Sequence, residues 1–512
     1  MKKYFTLLFL TVATTSLWAQ SFQDYFASQP TGFYPYDVTT CANGGSIICG
    51  TNGNGLPAVA KIDASGNVTW SENLNLDIYM HEPVATSIGE LSGGGYYVLI
   101  TDEWYANYYY GNIPYVLVKL NSSGNVTSTK VYYTTFPAYI YWQSRPRVKQ
   151  LSNGNFIFNM SLWQDMGVFM TDNAGNLQWS RTITNDTLKN PSLDISICSD
   201  GGVIALGKRN NDMHLVKMDV YGNILWSRIF ADHGNSYTRG KDVIKTADGK
   251  MVIAGLTGDT TGSVKMGFLM KIDNNGNISW FKNYYNTSEQ PCFSKVVELP
   301  NSDLMVSGSD NTHLIMAKMD ANGNLLATAG VQNTNPSYYP FQGLKVEGNE
   351  VIFSDPENSL LFSVDPNLGF CGADYLQLTQ VNANYNPTII TGQITTGTAG
   401  ISVGVANCTA TSTNLLADNW CTLFSVNDVS LNVNVTVSPN PAGSFSLITV
   451  EPGIKLLNAR LEVYDILGRK LDIVEFSGNS ARVERKDAPG GIYFYKVLNN
   501  EKVISTGKLI FE

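Results

Sequence analysis

The sequence predicts an all-β protein: a seven-bladed β-propeller followed by a small Ig-like β-sandwich. Three observations predict it. A short motif, seen as KMDVYGNILWSR from Lys217 to Arg228, recurs with glycines at 66, 124, 175, 222, 276, 323 and 369, a period of roughly 50 residues that marks solenoids and propellers. A second turn signature precedes every copy. From Val437 the text changes to short alternating strands with a turn about every 10 residues, the pattern of a small sandwich.

The chain opens MKKYFTLLFLTVATTSLWAQ. Lys2 and Lys3 precede an apolar run from Phe5 to Val12, with small residues near Ala19, which reads as a secretory signal peptide over residues 1–19. That run is too short for a bilayer span of ~20 apolar residues, and no later segment reads as transmembrane.

Residues 20–380 carry the repeat and form the predicted propeller. Relatives of the motif are KIDASGNVTW at Lys61, KLNSSGNVTS at Lys119, MTDNAGNLQW at Met170, KIDNNGNISW at Lys271 and KMDANGNLLA at Lys318, with a worn copy, SVDPNLGFC, at Ser363. The preceding signature runs ANGGSIICGT from Ala42, SGGGYYVLIT from Ser92, SNGNFIFNMS from Ser152, SDGGVIALGK from Ser199, ADGKMVIAGL from Ala247, PNSDLMVSGS from Pro300 and VEGNEVIFSD from Val346. Asn-Gly or Asp-Gly between β-branched and apolar runs is a hairpin signal, because both turn positions need or tolerate positive φ. Each unit then reads as four antiparallel strands, and four strands per unit, seven times, is a seven-bladed propeller. Runs such as MVIAGL are apolar on consecutive positions, as suits strands buried on both faces.

The repeated motif itself reads as scaffold. In DxxGN the Asp side chain accepts from turn amides and Gly takes the left-handed conformation. Trp70, Trp179, Trp226 and Trp280, replaced in other copies by Ser128 and Ala327, are expected to pack between adjacent blades. Calcium at Asp273 to Asn277 would use hard oxygen ligands, but the alternating acidic loop with its distal Glu is missing. The DxxGxxxW spacing resembles the tryptophan-docking repeat of quinoprotein propellers, which implies a quinone dehydrogenase. Those enzymes are larger, have eight blades and need a calcium site for which no acidic constellation stands here. A sialidase needs Asp boxes with one residue between Asp and Gly, whereas two intervene here, and it needs clustered arginines. No metal and no cofactor is expected.

A ligand is expected on the face of the longer connections, since loops on a rigid scaffold carry binding. TDEWYANYYYGNIPY, Thr101 to Tyr115, and YYTTFPAYIYWQSRPR, Tyr132 to Arg147, place Trp104, Tyr105, Tyr108, Tyr109, Tyr110, Tyr141 and Trp142 there, joined by Trp163. Aromatic faces beside Asp102 and Glu103 suit sugar rings or a protein partner; packing among themselves is the alternative. No catalytic residue is assigned. His81, His214, His233 and His313 fall in different blades with no HExxH. His81 with Glu82, and Asp232 with His233, are the histidine pairs that fall in connections on that face. No GxSxG is present, while carboxylates from distant blades leave glycosidase chemistry open.

Composition narrows the classes. Charged residues are 15% of the chain, against a typical ~25%. With a net charge of −9 and no Lys/Arg run, nucleic acid is not an expected partner. The seven cysteines, Cys41, Cys49, Cys198, Cys292, Cys371, Cys408 and Cys421, show no CxxC pair. Cys371 with Cys408 or with Cys421 are the disulfide candidates, since they bracket a Thr/Gly/Asn-rich segment.

That segment, residues 381–436, is nearly free of charge and reads as a linker with some strand character. Residues 437–512 follow with VSPNPAGSFSLITV, ARLEVYDILGRKLDIVEF and GGIYFYKVLNNEKVISTGKLIFE. Pro439, Asn440 and Pro441, then Val463, Tyr464, Asp465, Gly468 and Arg469, then Gly491 and Tyr493, with Lys496 and Lys508, make this stretch resemble the type A carboxyl-terminal sorting domain of the type IX secretion system of Bacteroidota. The resemblance implies passage through the periplasm, recognition by the outer-membrane translocon, removal of the domain by a sortase-like peptidase, and a cargo secreted or attached to the cell surface. The expected function is a non-enzymatic surface or secreted propeller that binds glycan or protein. A polysaccharide hydrolase and a purely structural surface protein are the alternatives.

Overall fold

The structure is a computed structural model. It describes residues 23–25, 32–102, 113–134, 146–162, 165–184, 192–231, 236–259, 265–285, 291–310, 313–332, 343–347, 350–355, 360–364, 368, 379–381, 388–391, 395–397, 401–404, 406–412, 418–419, 435–450, 456, 459–465, 470–486, 489–499 and 502–512. Within these residues every regular element is a strand, and neighbouring strands pair antiparallel. The chain divides into two compact units, Met1–Trp420 and Cys421–Glu512. The signal-peptide residues lie outside the described ones.

The first unit holds seven sheets, each built on a run of at least three consecutive strands. Their first strands are Phe33–Thr40, Pro83–Glu90, Val148–Gln150, Ser192–Ile197, Ser236–Lys245, Cys292–Glu298 and Gly343–Glu347. Seven hydrophobic clusters join each sheet to the next. Ile47, Cys49 and Val59 of sheet 1 meet Tyr96, Val98 and Val116 of sheet 2, and Tyr132 of sheet 2 meets Phe158 and Phe169 of sheet 3. The series ends where Ile352 and Leu361 of sheet 7 meet Phe33, Val38 and Ile48 of sheet 1. The sheets therefore follow one another in a closed cycle, and their first strands face its centre. Sheet 7 takes its fourth strand, Gln23–Tyr25, from the start of the chain.

Turn chemistry explains the regularity. Asp63, Asp172, Asp219, Asp273 and Asp320 each accept from the amide of the Asn four residues on, and the glycine between them sits at φ of 76° to 89°. The Asp273 carboxylate also takes the amides of Asn275 and the side chain of Asn277, so the turn itself occupies the oxygens a cation would need. The tryptophans cross to the next sheet. Trp179 Nε1 donates to Val220 O at 3.0 Å and Trp226 Nε1 to Asn274 O at 2.9 Å. The motif lysines reach back to the other turn of their own sheet, as in Lys217 with Asp200, Lys271 with Asp248 and Lys318 with Asp303.

The segment predicted as a linker corrects the sequence reading. Its strands Thr379–Val381, Thr388–Thr391, Thr395–Gly397, Ile401–Gly404, Cys408–Ser412 and Asp418–Asn419 add a fifth strand to sheets 5, 4, 3, 2, 1 and 7, in that order. The chain thus retraces the ring backwards as a belt and ends beside its own first strand, with Asp24 opposite Asn419. An outer strand left unpaired presents a row of free N–H and C=O groups, and the belt supplies their partners. Short, mostly Thr-rich and nearly uncharged strands without apolar alternation are what such a solvated outer position accepts. Asp77 and Asn407 clasp belt to sheet 1 through three hydrogen bonds, two from Asn407 to the Asp77 carboxylate at 2.8 Å and one from Asp77 N to Asn407 O at 3.1 Å. Cys408 is a free thiol, which removes its pairing with Cys371; Cys371 and Cys421 lie outside the described residues.

The second unit has a three-stranded sheet (Val435–Ser438, Phe445–Val450, Ser480–Glu484) and a four-stranded one (Lys470–Phe476, Ala459–Tyr464, Gly491–Asn499, Lys502–Phe511). One core spans both, with Ile448, Val450 and Val483 against Leu461, Tyr495, Val497 and Leu509.

Candidate functional site at the centre of the sheet ring

The first strands converge on a cavity of about 390 Å³ lined by residues from all seven sheets. Its chemistry follows from the repeat frame. Asp37, Ser87, Arg147, Asp194, Asp242 and Lys295 stand at one level, each the same distance ahead of a positive-φ turn residue, namely Gly44, Gly94, Gly154, Gly201, Gly249 and Ser302. In five of the strands a β-bulge falls immediately before that position, at 36, 86, 193, 241 and 294. A bulge re-aims the side chain that follows it, which turns charged groups toward the centre of a protein whose strands are otherwise apolar.

The three aspartates at this level join neighbouring sheets. Asp37 Oδ2 accepts from Ile88 N at 3.0 Å, Asp194 Oδ2 from Val243 N at 3.0 Å and Asp242 Oδ2 from Val296 N at 2.9 Å. Ser87 does the same for sheet 3, accepting from Val148 N at 3.3 Å. Buried carboxylates need charge partners as well. Arg147 Nη1 lies 3.1 Å from Asp37 Oδ2 while donating to Thr86 O at 3.0 Å, and Lys295 Nζ lies 2.8 Å from Asp242 Oδ1. Burial pushes the Asp194 carboxyl up, whereas Asp242, equally buried, is held below its ordinary value by Lys295.

Two residues further along the strands, on the same face, comes a second level: Thr39, Gly89, Lys149, Ser196, Ile244, Val297 and Lys345. Burial pushes the Lys345 ammonium down. Nearer the tight turns, Glu90 Oε2 accepts from Ala42 N at 2.8 Å and Gln150 Oε1 from Ser92 N at 3.0 Å, again bridging consecutive sheets.

The aromatic residues expected to bind ligand, Trp104, Tyr105, Tyr108, Tyr109, Tyr110, Tyr141, Trp142 and Trp163, lie outside the described residues, as do Asp232 and His233. Asp102 is buried, and its carboxylate receives the amides of His81 at 2.6 Å and Glu82 at 3.2 Å, so it shapes that connection. The charged cavity was missed because its residue types differ from copy to copy. The signal that finds it is position in the repeat.

In the second unit the expected sorting residues hold the fold together at several points. Asn440 Nδ2 donates to Lys508 O at 3.0 Å and its Oδ1 accepts from Ile510 N at 2.8 Å, tying the Pro439–Pro441 segment to the last strand. Tyr464 donates to Glu462, which Lys470 also engages at 2.8 Å. Tyr493 donates to Pro489 O and packs on Phe511. Asp465 follows the strand Ala459–Tyr464, Gly491 opens the strand Gly491–Asn499 and Lys508 lies in the last one; Gly468 and Arg469 lie outside the described residues.

Residues 436–512 match the family described as the secretion system C-terminal sorting domain. The carboxyl-terminal module is a sorting domain of that family. The sorting domain marks the chain as type IX secretion cargo, sent to the cell surface or released. No curated protein matches the chain. Among solved structures, it is similar to the extracellular domain of a hybrid two-component system from B. thetaiotaomicron, at 12% identity over 94% of this chain and 55% of that one, with a TM-score of 0.37. It therefore spans about half the length of that relative. It is similar also to BamB from Moraxella catarrhalis, at 12% identity over 65% and 97% of the two chains and a TM-score of 0.33. A third is PorZ, a surface component of the type IX secretion system of Porphyromonas gingivalis, at 11% identity over 94% and 82% and a TM-score of 0.23. Scores this low leave the fold to rest on the strand pairing. No helix among the described residues is long and apolar enough to cross a membrane.

Proposed function

We propose that the exported part of this chain is a seven-bladed β-propeller that acts as a binding protein, not an enzyme, and that its Ig-like sorting sandwich engages the type IX translocon and a sortase-like peptidase. The ligand is a glycan or a protein, taken on the face of the long connections by Trp104, Tyr105, Tyr108, Tyr109, Tyr110, Tyr141, Trp142 and Trp163. One observation carries the non-enzymatic reading: the cavity carboxylates already have partners. A glycosidase needs one carboxyl to protonate the leaving group and a second to attack or activate water. Asp37, Asp194, Asp242 and Glu90 each accept a main-chain amide from a neighbouring sheet instead. The closed cycle of hydrophobic clusters supports the seven-bladed form.

The test is a glycan array probed with the secreted protein and with a Trp104→Ala/Tyr109→Ala variant of equal thermal stability. Specific binding that the variant loses is the expected result. Unchanged binding by the variant contradicts the assignment of the face, and release of sugar from any arrayed glycan contradicts the non-enzymatic reading.

A further inference from the structure

We propose that the central cavity of the ring is a second binding site, for a small organic molecule bearing a carboxylate or phosphate whose anionic oxygens sit between Lys149 and Lys345. The site is separate from the face of long connections, and it is argued from what the cavity leaves unsatisfied.

Formal charges in the lining cancel, with Asp37, Glu90, Asp194 and Asp242 against Arg147, Lys149, Lys295 and Lys345. Engagement is uneven. Each of the four acids accepts a main-chain amide, and Asp37 and Asp242 also hold Arg147 and Lys295. Lys149 and Lys345 are the remaining cations, and neither makes a hydrogen bond or ion pair to a described residue. An ammonium carries three N–H donors and no acceptor, so the two lysines call for oxygen acceptors.

Placement brings the two lysines together. Lys149 pairs with Ile157 in sheet 3 and Lys345 with Ile352 in sheet 7, which is the same level of the ring. In a cycle of seven, sheets 3 and 7 stand on opposite sides, so the two side chains enter from facing walls, close enough for the charge of one to be felt by the other. Asp194 stands near Lys149 and Asp37 near Lys345, but Asp194 is already engaged by Val243 N and Asp37 by Ile88 N and Arg147. The remaining wall at and below this level offers the hydroxyl of Thr39 and the aliphatic Ile197, Ile244 and Val297. An anionic head with a compact apolar body matches that lining, and about 390 Å³ falls in the range of ~300–1,000 Å³ typical of small-molecule sites.

The experiment uses the purified protein as the cell exports it, with inorganic phosphate and succinate as probes and chloride at matched ionic strength as the reference. A ligand that binds only the folded state raises the melting temperature in a concentration-dependent way. The expected result is such a rise with phosphate, succinate or both, with the dissociation constant weakened about tenfold or more in Lys149→Met and in Lys345→Met and unchanged in Lys282→Met, which lies outside the cavity. A response to phosphate alone assigns a phosphate ligand, and a response to succinate alone a carboxylate. A second readout needs no variant: the effective probe should slow acetylation of Lys149 and Lys345 by acetic anhydride relative to Lys282. No response of the wild-type protein to either probe, or a response that survives both substitutions with no change in acetylation, overturns the proposal.

Discussion

The indole of Trp179 rests on Gly222 of the following sheet, so closely that a Cβ at position 222 would lie 2.7 Å from its Cε3. The same contact recurs between Trp70 and Gly124 and between Trp280 and Gly323, while at Gly276 a Cβ would meet Arg228 Cγ at 3.1 Å and Trp226 at 3.3 Å. Each glycine is therefore required twice, for its positive φ and for the space its missing side chain leaves. Where Ser128 stands in place of the tryptophan, Lys130 and Tyr132 fill the gap over Gly175, and Tyr132 donates to Gly175 O at 2.9 Å.

The two requirements can be measured apart. Gly55 has the same φ of 77° as Gly222 but open space around it. Gly55→Ala should carry only the backbone cost of about 1–2 kcal/mol, whereas Gly222→Ala adds an overpacking cost of about 1–3 kcal/mol. Thermal melts of both should show the larger loss for Gly222→Ala, and Trp179→Ala should recover part of it in the double variant. Equal losses for the two alanines would contradict the packing role.

A buried histidine should make stability depend on pH. His214 is fully buried with Nε2 2.8 Å from the Ser227 hydroxyl, and burial, then Arg209, push its pKa from 6.5 down to about 4. The folded protein resists a proton that the unfolded chain accepts, so the contribution is present above pH 6.5 and is lost as pH falls toward 4. The full loss is roughly 3 kcal/mol. Melts between pH 7 and 4.5 should fall more steeply for the wild-type protein than for His214→Gln. Parallel profiles would show that His214 takes its proton without cost in the fold.

The belt should matter to the ring. A chain ending at Gln380 leaves the outer strands of sheets 1 to 4 and of sheet 7 without partners, while one ending at Trp420 keeps the paired strands. Exposed edges recruit other chains. The shorter protein should melt lower and sediment partly as oligomers; identical melting and a monomeric profile would mean that the belt merely lies on the surface.

How much of this was legible in the sequence depends on where local chemistry decides. The turn at Asp219–Asn223 is fixed by its own side chains, so the period located the sheets without any knowledge of packing. Residues 381–436 read as a linker because Thr388–Thr391 or Thr395–Gly397 has no apolar alternation, and pairing with a distant sheet leaves no mark on four residues. The cavity was invisible for another reason. Asp37, Ser87, Arg147, Asp194, Asp242 and Lys295 share a place in the frame but not one residue type, and only the bulges before five of them and the closure of the ring bring them together. In the sorting domain, Asn440 was legible by its family pattern, while its bonds to the last strand needed the fold.

The most direct test of the account is where the protein goes. Cells expressing the full chain should carry it on the surface or release it, whereas a chain lacking residues 436–512 should accumulate in the periplasm. Fractionation with surface proteolysis reads both outcomes. Finding the truncated chain on the cell surface or in the medium would contradict the assignment of the carboxyl-terminal module, and with it the view of this ring as an exported binding protein.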